Sequence, residues 1–174
     1  MTSNQKNSTN RSKICYPSEN DIKRRIISAL LELYGYDYEL FDAEVNERSI
    51  THKLAEYLQR QFPYWHVDCE YNRQENRIKE IEGKRLFPDI IVHKRRSSDN
   101  LLVIEVKKGG DRYEGDMNKL RGFIKIPEYH YLYGAFLALG ANGCIKATLI
   151  RNDFKELDWT NEIQSALREL GYGS

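Results

Sequence analysis

The chain has 174 residues, a formal net charge of +1 and 40% hydrophobic residues, which fits one globular domain with a sizeable core and excludes a disordered chain. No apolar run reaches the length needed to span a membrane, and the balance of 27 basic and 26 acidic side chains does not indicate a strongly basic nucleic-acid binder, although balanced charge can still be segregated into a basic face. The polar N-terminus has no apolar signal-peptide centre, and the three widely spaced cysteines, Cys15, Cys69 and Cys144, are typical of reduced thiols in the cytoplasm.

The N-terminal segment 1–17 is rich in Ser, Asn, Thr and Gln, which predicts a disordered tail before a single domain over 18–174. Ser18, followed three residues later by Asp21, predicts a helix N-cap. The next residues place apolar side chains at helical spacing, so a helix is predicted that ends at Gly35. Its predicted inward residues are Ile22, Ile26, Ile27, Leu30, Leu31 and Leu33.

A second helix is predicted from about Asn46 to Phe62, where Pro63 stops it, with an apolar stripe that begins at Ile50. The stretch WHVDCEYN then alternates as a strand does. Four of its residues are predicted to share one face: Trp65, Val67, Cys69 and Tyr71. The charged segment RQENRIKEIEGKR is interpreted as a loop or as a ragged extension of this strand.

The apolar runs DIIV and LLVIEV, separated by the polar turn KRRSSDN, predict two more strands. A helix follows, with Met117, Leu120 and Ile124 at helical spacing before Pro127. YHYLYGAFLALG and GCIKATLIRN predict two further strands, joined by a hairpin turn at GANG. The last segment predicts an amphipathic helix with four residues inward: Ile163, Ala166, Leu167 and Leu170.

The predicted order is therefore two helices, three strands, a helix, two strands and a final helix. Three consecutive strands followed by a crossover helix and further strands predict an α/β fold, in which a mixed central β-sheet is flanked by helices on both faces. No internal repeat and no low-complexity segment beyond the tail interrupts this order.

Two of the predicted strands carry carboxylates that a buried strand has no packing reason to hold. Asp89 starts the first strand, Glu105 lies near the end of the second, and Lys107 shares a face with Glu105. If the strands pair as a hairpin, Asp89 lies beside Glu105. An unpaired ionised carboxylate in a core is costly, whereas two carboxylates together can hold a hard divalent cation next to a phosphate. Lys107 could then polarise the attacking water or stabilise charge on the phosphate.

An alternative interpretation treats Glu105 and Lys107 as a structural ion pair at the end of the sheet, which contributes little stability and leaves Asp89 unexplained. A second alternative concerns Glu47, which extends the core-facing stripe of the second helix toward its N-terminal end. Its carboxylate could reach the same cation through water. Equally, an acidic side chain in a first helical turn favours the helix dipole without any further role.

Pro88 and Asp89, followed by Glu105-Val106-Lys107, resemble the signature of the PD-(D/E)XK nuclease superfamily. The resemblance covers roughly residues 46–151. It implies a restriction-endonuclease-like core with the order αβββαβ, to which this chain adds an N-terminal helix. It also implies hydrolysis of phosphodiester bonds that depends on Mg²⁺ or Mn²⁺. Asp89, Glu105 and the carbonyl of Val106 would bind the metal, and Lys107 would act at the water.

The same resemblance assigns roles to two helices. The family often has a glutamate on its first core helix, which matches Glu47 and implies a catalytic role for it. The family also often has a polar or basic residue on the helix after the lysine strand. Lys119 is the candidate for that role, with Asp116 and Asn118 as weaker candidates.

These observations favour a metal-dependent nuclease, and we expect a DNA endonuclease in the cytoplasm. A homodimer would supply the two active sites that cutting both strands requires. Lys108, Lys119 and Arg121 give the region after the site a basic bias that is consistent with phosphate contacts. The alternative function is a catalytically inactive nucleic-acid-binding or scaffold module of the same fold. His93, which follows Asp89 on the same face, is interpreted as a hydrogen-bonded or exposed histidine rather than a catalytic one.

Overall fold

The computed structural model describes residues 16–42, 44–71, 73–74, 77–78, 80–81, 84–85, 87–110 and 112–173. Its helices are α1 (Glu19–Tyr36), α2 (Glu47–Gln61), α3 (Glu114–Lys125) and α4 (Thr160–Glu169), with short 3₁₀ helices at Tyr38–Phe41 and Pro127–Tyr129. Its strands are β1 (His66–Cys69), β2 (Arg73–Gln74), β3 (Arg77–Ile78), β4 (Glu80–Ile81), β5 (Lys84–Arg85), β6 (Ile90–His93), β7 (Asn100–Lys108), β8 (Tyr133–Gly140), β9 (Gly143–Arg151) and β10 (Glu156–Asp158).

A six-stranded sheet in the order β1-β6-β7-β8-β9-β10 forms the centre of the fold. Strands β7 and β8 are parallel, and the other neighbours in this sheet are antiparallel. A parallel pair needs a crossover connection, which α3 supplies. One face of the sheet shares a hydrophobic cluster with α1, α2 and α4, and the other face packs against α3. The predicted α/β fold with a mixed sheet between helices is therefore confirmed.

Helix α1 begins as its sequence predicts, because the Ser18 side chain accepts a hydrogen bond from the backbone of Asp21 while the Asp21 side chain accepts from the backbone of Ser18. The helix continues to Tyr36, so the predicted end at Gly35 is one residue early. Helix α2 has Asn46 as its N-cap and ends at Gln61, in agreement with the prediction. Buried residues of α1 include four of its predicted inward side chains: Ile22, Ile26, Leu30 and Leu33.

The predicted alternation along the first strand is correct for Trp65, Val67 and Cys69 but wrong for Tyr71. The first three belong to the cluster on the α1 and α2 side, whereas Tyr71 packs on the α3 side. The cause is Glu70, whose φ of 49° takes the chain out of extended geometry and ends the alternation.

Two further element boundaries differ from the prediction. Strand β8 begins at Tyr133 rather than Tyr129, because Pro127 starts a 3₁₀ helix instead. In α4, Ile163 and Leu167 are buried as predicted, but Leu170 is 50% exposed, since the helix ends before it. The predicted hairpin turn at GANG connects β8 to β9.

Helix α3 lies unusually close to the sheet where β8 begins. A Cβ atom added to Gly134 would lie 3.1 Å from side-chain atoms of both Leu120 and Ile124. The absence of a side chain at Gly134 therefore allows this close packing. This packing sets the height of α3 above β7 and so the position of Lys119, which precedes Leu120.

The structure describes only part of the predicted tail and of the charged segment. Residues 1–15 of the tail lie outside the described residues, whereas Tyr16 is placed: its hydroxyl group donates to Asp99 at 2.9 Å, and its ring lies 5.8 Å from that of Trp65. Within the charged segment, the described residues form two small antiparallel ladders, β2 with β3 and β4 with β5. These ladders are separate from the central sheet, so they are short strands of their own and not an extension of β1.

Candidate functional site

The antiparallel pairing of β6 and β7 brings the two predicted strand carboxylates together. Ile90 pairs with Ile104, so Asp89, one residue before β6, lies opposite Glu105. Asp89 is anchored there because its side chain accepts a hydrogen bond of 2.8 Å from the backbone N–H of Val106. The predicted proximity of the two acids is confirmed.

Glu105 is almost completely buried, with 1% of its surface exposed. Its Oε2 atom accepts a hydrogen bond of 2.7 Å from Lys119 Nζ on α3, whereas its Oε1 atom is buried and has no hydrogen-bond partner among the described residues. The pKa of the Glu105 carboxyl is raised to about 8, first by burial and then by the negative charge of Asp89, while Lys119 opposes the rise. The site therefore contains a buried oxygen atom to which no described group donates a hydrogen bond.

Asp89 is half-buried, and burial is also the main cause that raises the pKa of its carboxyl. The N–H of Val106 and the charge of Lys119 act in the opposite sense, whereas the charges of Glu47 and Asp116 raise the pKa further. Asp116 also raises the pKa of Glu105. The carboxylates near Asp89 thus repel one another, which favours a positively charged ligand at this place.

The side chain of Glu47 connects α2 to the end of β7 by a hydrogen bond. Its Oε2 atom accepts a hydrogen bond of 2.7 Å from the backbone N–H of Lys108 and lies 3.5 Å from Lys107 Nζ. The side chains of Lys107 and Glu47 are 36% and 38% exposed, so their ion pair alone adds little stability. Among the described residues, Lys107 therefore lies against Glu47 and not, as predicted, against Asp89 and Glu105, and Lys119 provides the ammonium group that contacts Glu105.

The residues predicted to contact nucleic acid are all engaged within the protein. Lys108 Nζ donates to the backbone carbonyls of Asp42 and Val45, the latter at 2.7 Å. Arg121 pairs with Glu156 at 2.7 Å and with Glu114 at 2.9 Å. Lys119 pairs with Glu105. Any phosphate contact by these side chains would require them to leave their present partners.

The expectation for His93 agrees with the structure. His93 is 3% exposed, and its Nε2 atom lies 2.7 Å from an oxygen of Asp68. Arg95 pairs with the same carboxylate, and the pKa of Asp68 is lowered by these partners against the opposing effect of burial. This cluster lies at the opposite end of β6 from Asp89 and is a structural contact between β1 and β6.

A cavity of about 220 Å³ opens beside the acids, between the start of α2 and the start of β6. Its lining residues are Glu47, Arg48, Thr51, His52, Glu70, Phe87 and Asp89. Sequence reasoning missed Arg48, His52 and Phe87. Two signals could have found them: Phe87 precedes Asp89 by two positions, and Arg48 and His52 are four apart on the helix that carries Glu47.

Within the described part of the chain, no group of three or more His, Cys, Asp or Glu side chains is arranged to hold a metal ion. A cation at the site would therefore rely on the carboxylates of Asp89 and Glu105, on a backbone carbonyl and on water. Among the described helices, none combines the length and the apolar character of a membrane span. Comparisons with protein-family models, with curated proteins and with solved structures give no match to this chain.

Proposed function

We propose that this protein is a divalent-metal-dependent nuclease that hydrolyses phosphodiester bonds in DNA. One observation carries the proposal: Asp89, just before β6, lies opposite Glu105 on β7, and a buried oxygen of Glu105 has no hydrogen-bond partner within the described part of the chain. A core that needed only packing would not bury two acids side by side, because each desolvated carboxylate costs stability.

The residues present fit Mg²⁺ or Mn²⁺. These cations prefer oxygen ligands, and Asp89, Glu105 and the carbonyl of Val106 would provide them. The acids repel one another, and the buried Oε1 atom of Glu105 has no hydrogen-bond donor among the described residues. A bound cation would relieve both costs. When bound, such a cation polarises a phosphoryl oxygen and lowers the pKa of a bound water.

The other residues of the site have roles that follow from their positions. Lys107 lies one residue before the end of β7, and its side chain is 36% exposed, so its ammonium group can reach a phosphate and stabilise negative charge that develops there. Glu47 holds that ammonium group toward the site and fixes the backbone of Lys108. Lys119 places a positive charge beside the Oε2 atom of Glu105, which leaves the Oε1 atom as the oxygen that would hold a cation.

The order of elements adds support. Helix α2, strands β1, β6 and β7, helix α3 and strand β8 follow one another in the order αβββαβ of the proposed restriction-endonuclease-like core, if the small ladders of β2 to β5 are counted as an insertion. Helix α1 is then the additional N-terminal helix.

A second candidate function is a catalytically inactive module of the same fold. The ion pair between Lys119 and Glu105 favours it, because that pair already supplies one positive charge to the acids. The engagement of Lys108 and Arg121 in contacts within the protein points the same way. The unpaired Oε1 atom of Glu105 argues against it.

The test combines two measurements on one preparation. Labelled single-stranded and duplex DNA and RNA are incubated with Mg²⁺, Mn²⁺ or EDTA, and the melting temperature is recorded under the same conditions. We expect cleavage with a divalent cation, none with EDTA, and a higher melting temperature with the cation, because a ligand that binds the folded state stabilises it. Asp89→Asn should lose both effects. Undiminished cleavage in excess EDTA, or cleavage by Asp89→Asn at the wild-type rate, would contradict the proposal.

A further inference from the structure

The cavity beside the acids contains an aromatic side chain that the core does not use. Phe87 is 48% exposed, although it is a large apolar residue two positions before Asp89. Pro88, between them, is buried. Phe87 and Asp89 both line the cavity of about 220 Å³, so an aromatic surface and a candidate catalytic acid border the same open cavity.

We propose that this cavity binds an unpaired nucleobase next to the phosphate that is cut, with Phe87 as the stacking surface. The preferred substrate is then single-stranded or locally unpaired nucleic acid. This inference rests on the proposed function, because it takes the phosphate at Asp89 and Glu105 as given.

The physical reason lies in how bases stack. A base within a duplex is already stacked on both faces and paired at its edge, so it cannot enter a cavity without leaving the helix. An unpaired base has a free π-face, and stacking on an aromatic side chain stabilises its binding irrespective of its sequence. Phe87, an exposed phenylalanine in a concave site beside the proposed phosphate position, can therefore stack on an unpaired base. It cannot stack on a base that remains within a duplex.

The acidic residues around the cavity favour an uncharged ligand such as a nucleobase. Glu47, Glu70 and Asp89 line it, so a ligand with several negative charges would be repelled from its interior. Arg48 and His52 lie one helical turn apart on the same wall. The Arg48 side chain is 75% exposed and is paired with Glu70 at 3.2 Å. Because such an exposed pair is weak, Arg48 can turn to a flanking phosphate at little cost.

The experiment measures stacking directly and without cleavage. A short single-stranded oligonucleotide that carries one 2-aminopurine is titrated with protein in EDTA, where base stacking quenches its fluorescence. We expect quenching with wild-type protein and with Phe87→Tyr, which keeps the ring. Phe87→Leu keeps apolar bulk without a π-face and should bind roughly 5- to 150-fold more weakly, the range expected for one lost base–aromatic stack.

Phe154→Leu is the matched control. Phe154 is 60% exposed in the turn after β9 and lines a different cavity, at the other end of the sheet. This control should bind as the wild type does. Duplex competitor should displace the probe poorly. Equal affinity of wild type and Phe87→Leu, or equal competition by duplex, would overturn the inference.

Failure of the inference is distinguishable from failure of the proposed function. If the wild type cuts duplex and single strands equally well with Mg²⁺ and Phe87→Leu changes neither rate, the nuclease stands and the base site is wrong. If the fluorescence results are as expected but no cation supports cleavage, the base-binding cavity stands as part of an inactive nucleic-acid-binding module.

Discussion

Replacing Glu105 by glutamine tests whether the buried acid destabilises the fold when it ionises. The amide of Glu105→Gln has nearly the same shape as the carboxyl group but cannot lose a proton. Because the Glu105 carboxyl is 1% exposed and its pKa is raised to about 8, the folded state holds its proton more tightly than the unfolded chain does. The stability linked to this group is therefore fully present below the unfolded pKa and is lost as the pH rises through the folded pKa.

The size of the effect follows from the two pKa values. Each unit between them corresponds to about 1.4 kcal/mol, so a rise from 4.5 to about 8 corresponds to a loss on the order of 5 kcal/mol. That is a large fraction of the roughly 5–15 kcal/mol by which most domains are stable. Glu105→Gln lacks this loss, and Lys119, whose side chain is 22% exposed, can turn to water when its partner is removed.

The assay is urea unfolding in EDTA, followed by circular dichroism, for both proteins between about pH 5 and about pH 9. We expect the free energy of unfolding of the wild type to fall with pH relative to that of Glu105→Gln by several kcal/mol. Glu156→Gln is the control, because Arg121 lowers the pKa of Glu156 and the stability linked to that group is lost as the pH falls. Parallel curves for wild type and Glu105→Gln would refute the reasoning.

Four further predictions address single residues. Lys107→Ala should keep the rise in melting temperature with Mg²⁺ but lower the cleavage rate about 10²- to 10³-fold, and an unchanged rate would remove Lys107 from the mechanism. Glu47→Gln should weaken cleavage, although its amide oxygen can still accept the hydrogen bond from the Lys108 N–H. Glu47→Ala should in addition lower the free energy of unfolding in urea by about 1–3 kcal/mol, and normal cleavage by both variants would leave Glu47 with a structural role only. Lys119→Met should show a larger rise in melting temperature with Mg²⁺ than the wild type, because no ammonium group competes for Glu105, and a smaller rise would contradict this. Ser18→Ala should lose about 1 kcal/mol of stability through the helix cap, with cleavage unchanged.

The parts of the site that could be predicted from sequence are those fixed by local geometry. Alternation along β7 and a hairpin connection are enough to place Asp89 beside Glu105. The contact of Lys119 with Glu105 was beyond such reasoning, because it depends on how closely α3 packs on β8 at Gly134. An interaction of this kind between a helix and a sheet is set by packing and has no periodic signature.

The same distinction applies to the fold. The positions of α1 and α2 follow from their caps and apolar stripes. The face occupied by Tyr71 could not be predicted, because one residue with positive φ, Glu70, reverses the alternation. The cavity was also missed, since its walls come from α2 and from the chain before β6, and only the assembled fold brings them together.

The hydrogen bond between Glu47 and the backbone of Lys108 also bears on when the site forms during folding. These residues are 61 positions apart in the chain, whereas Asp89 and Val106 are 17 apart and Glu105 and Lys119 are 14 apart. The shorter loops cost less chain entropy to close, so the paired strands and α3 can bring Asp89, Glu105 and Lys119 together first. The contact between Glu47 on α2 and Lys108 closes the longest of these three loops and so costs the most chain entropy. A partly folded chain can therefore bring the acids together before Glu47 reaches Lys107, so under the proposed function cleavage requires the fully folded state.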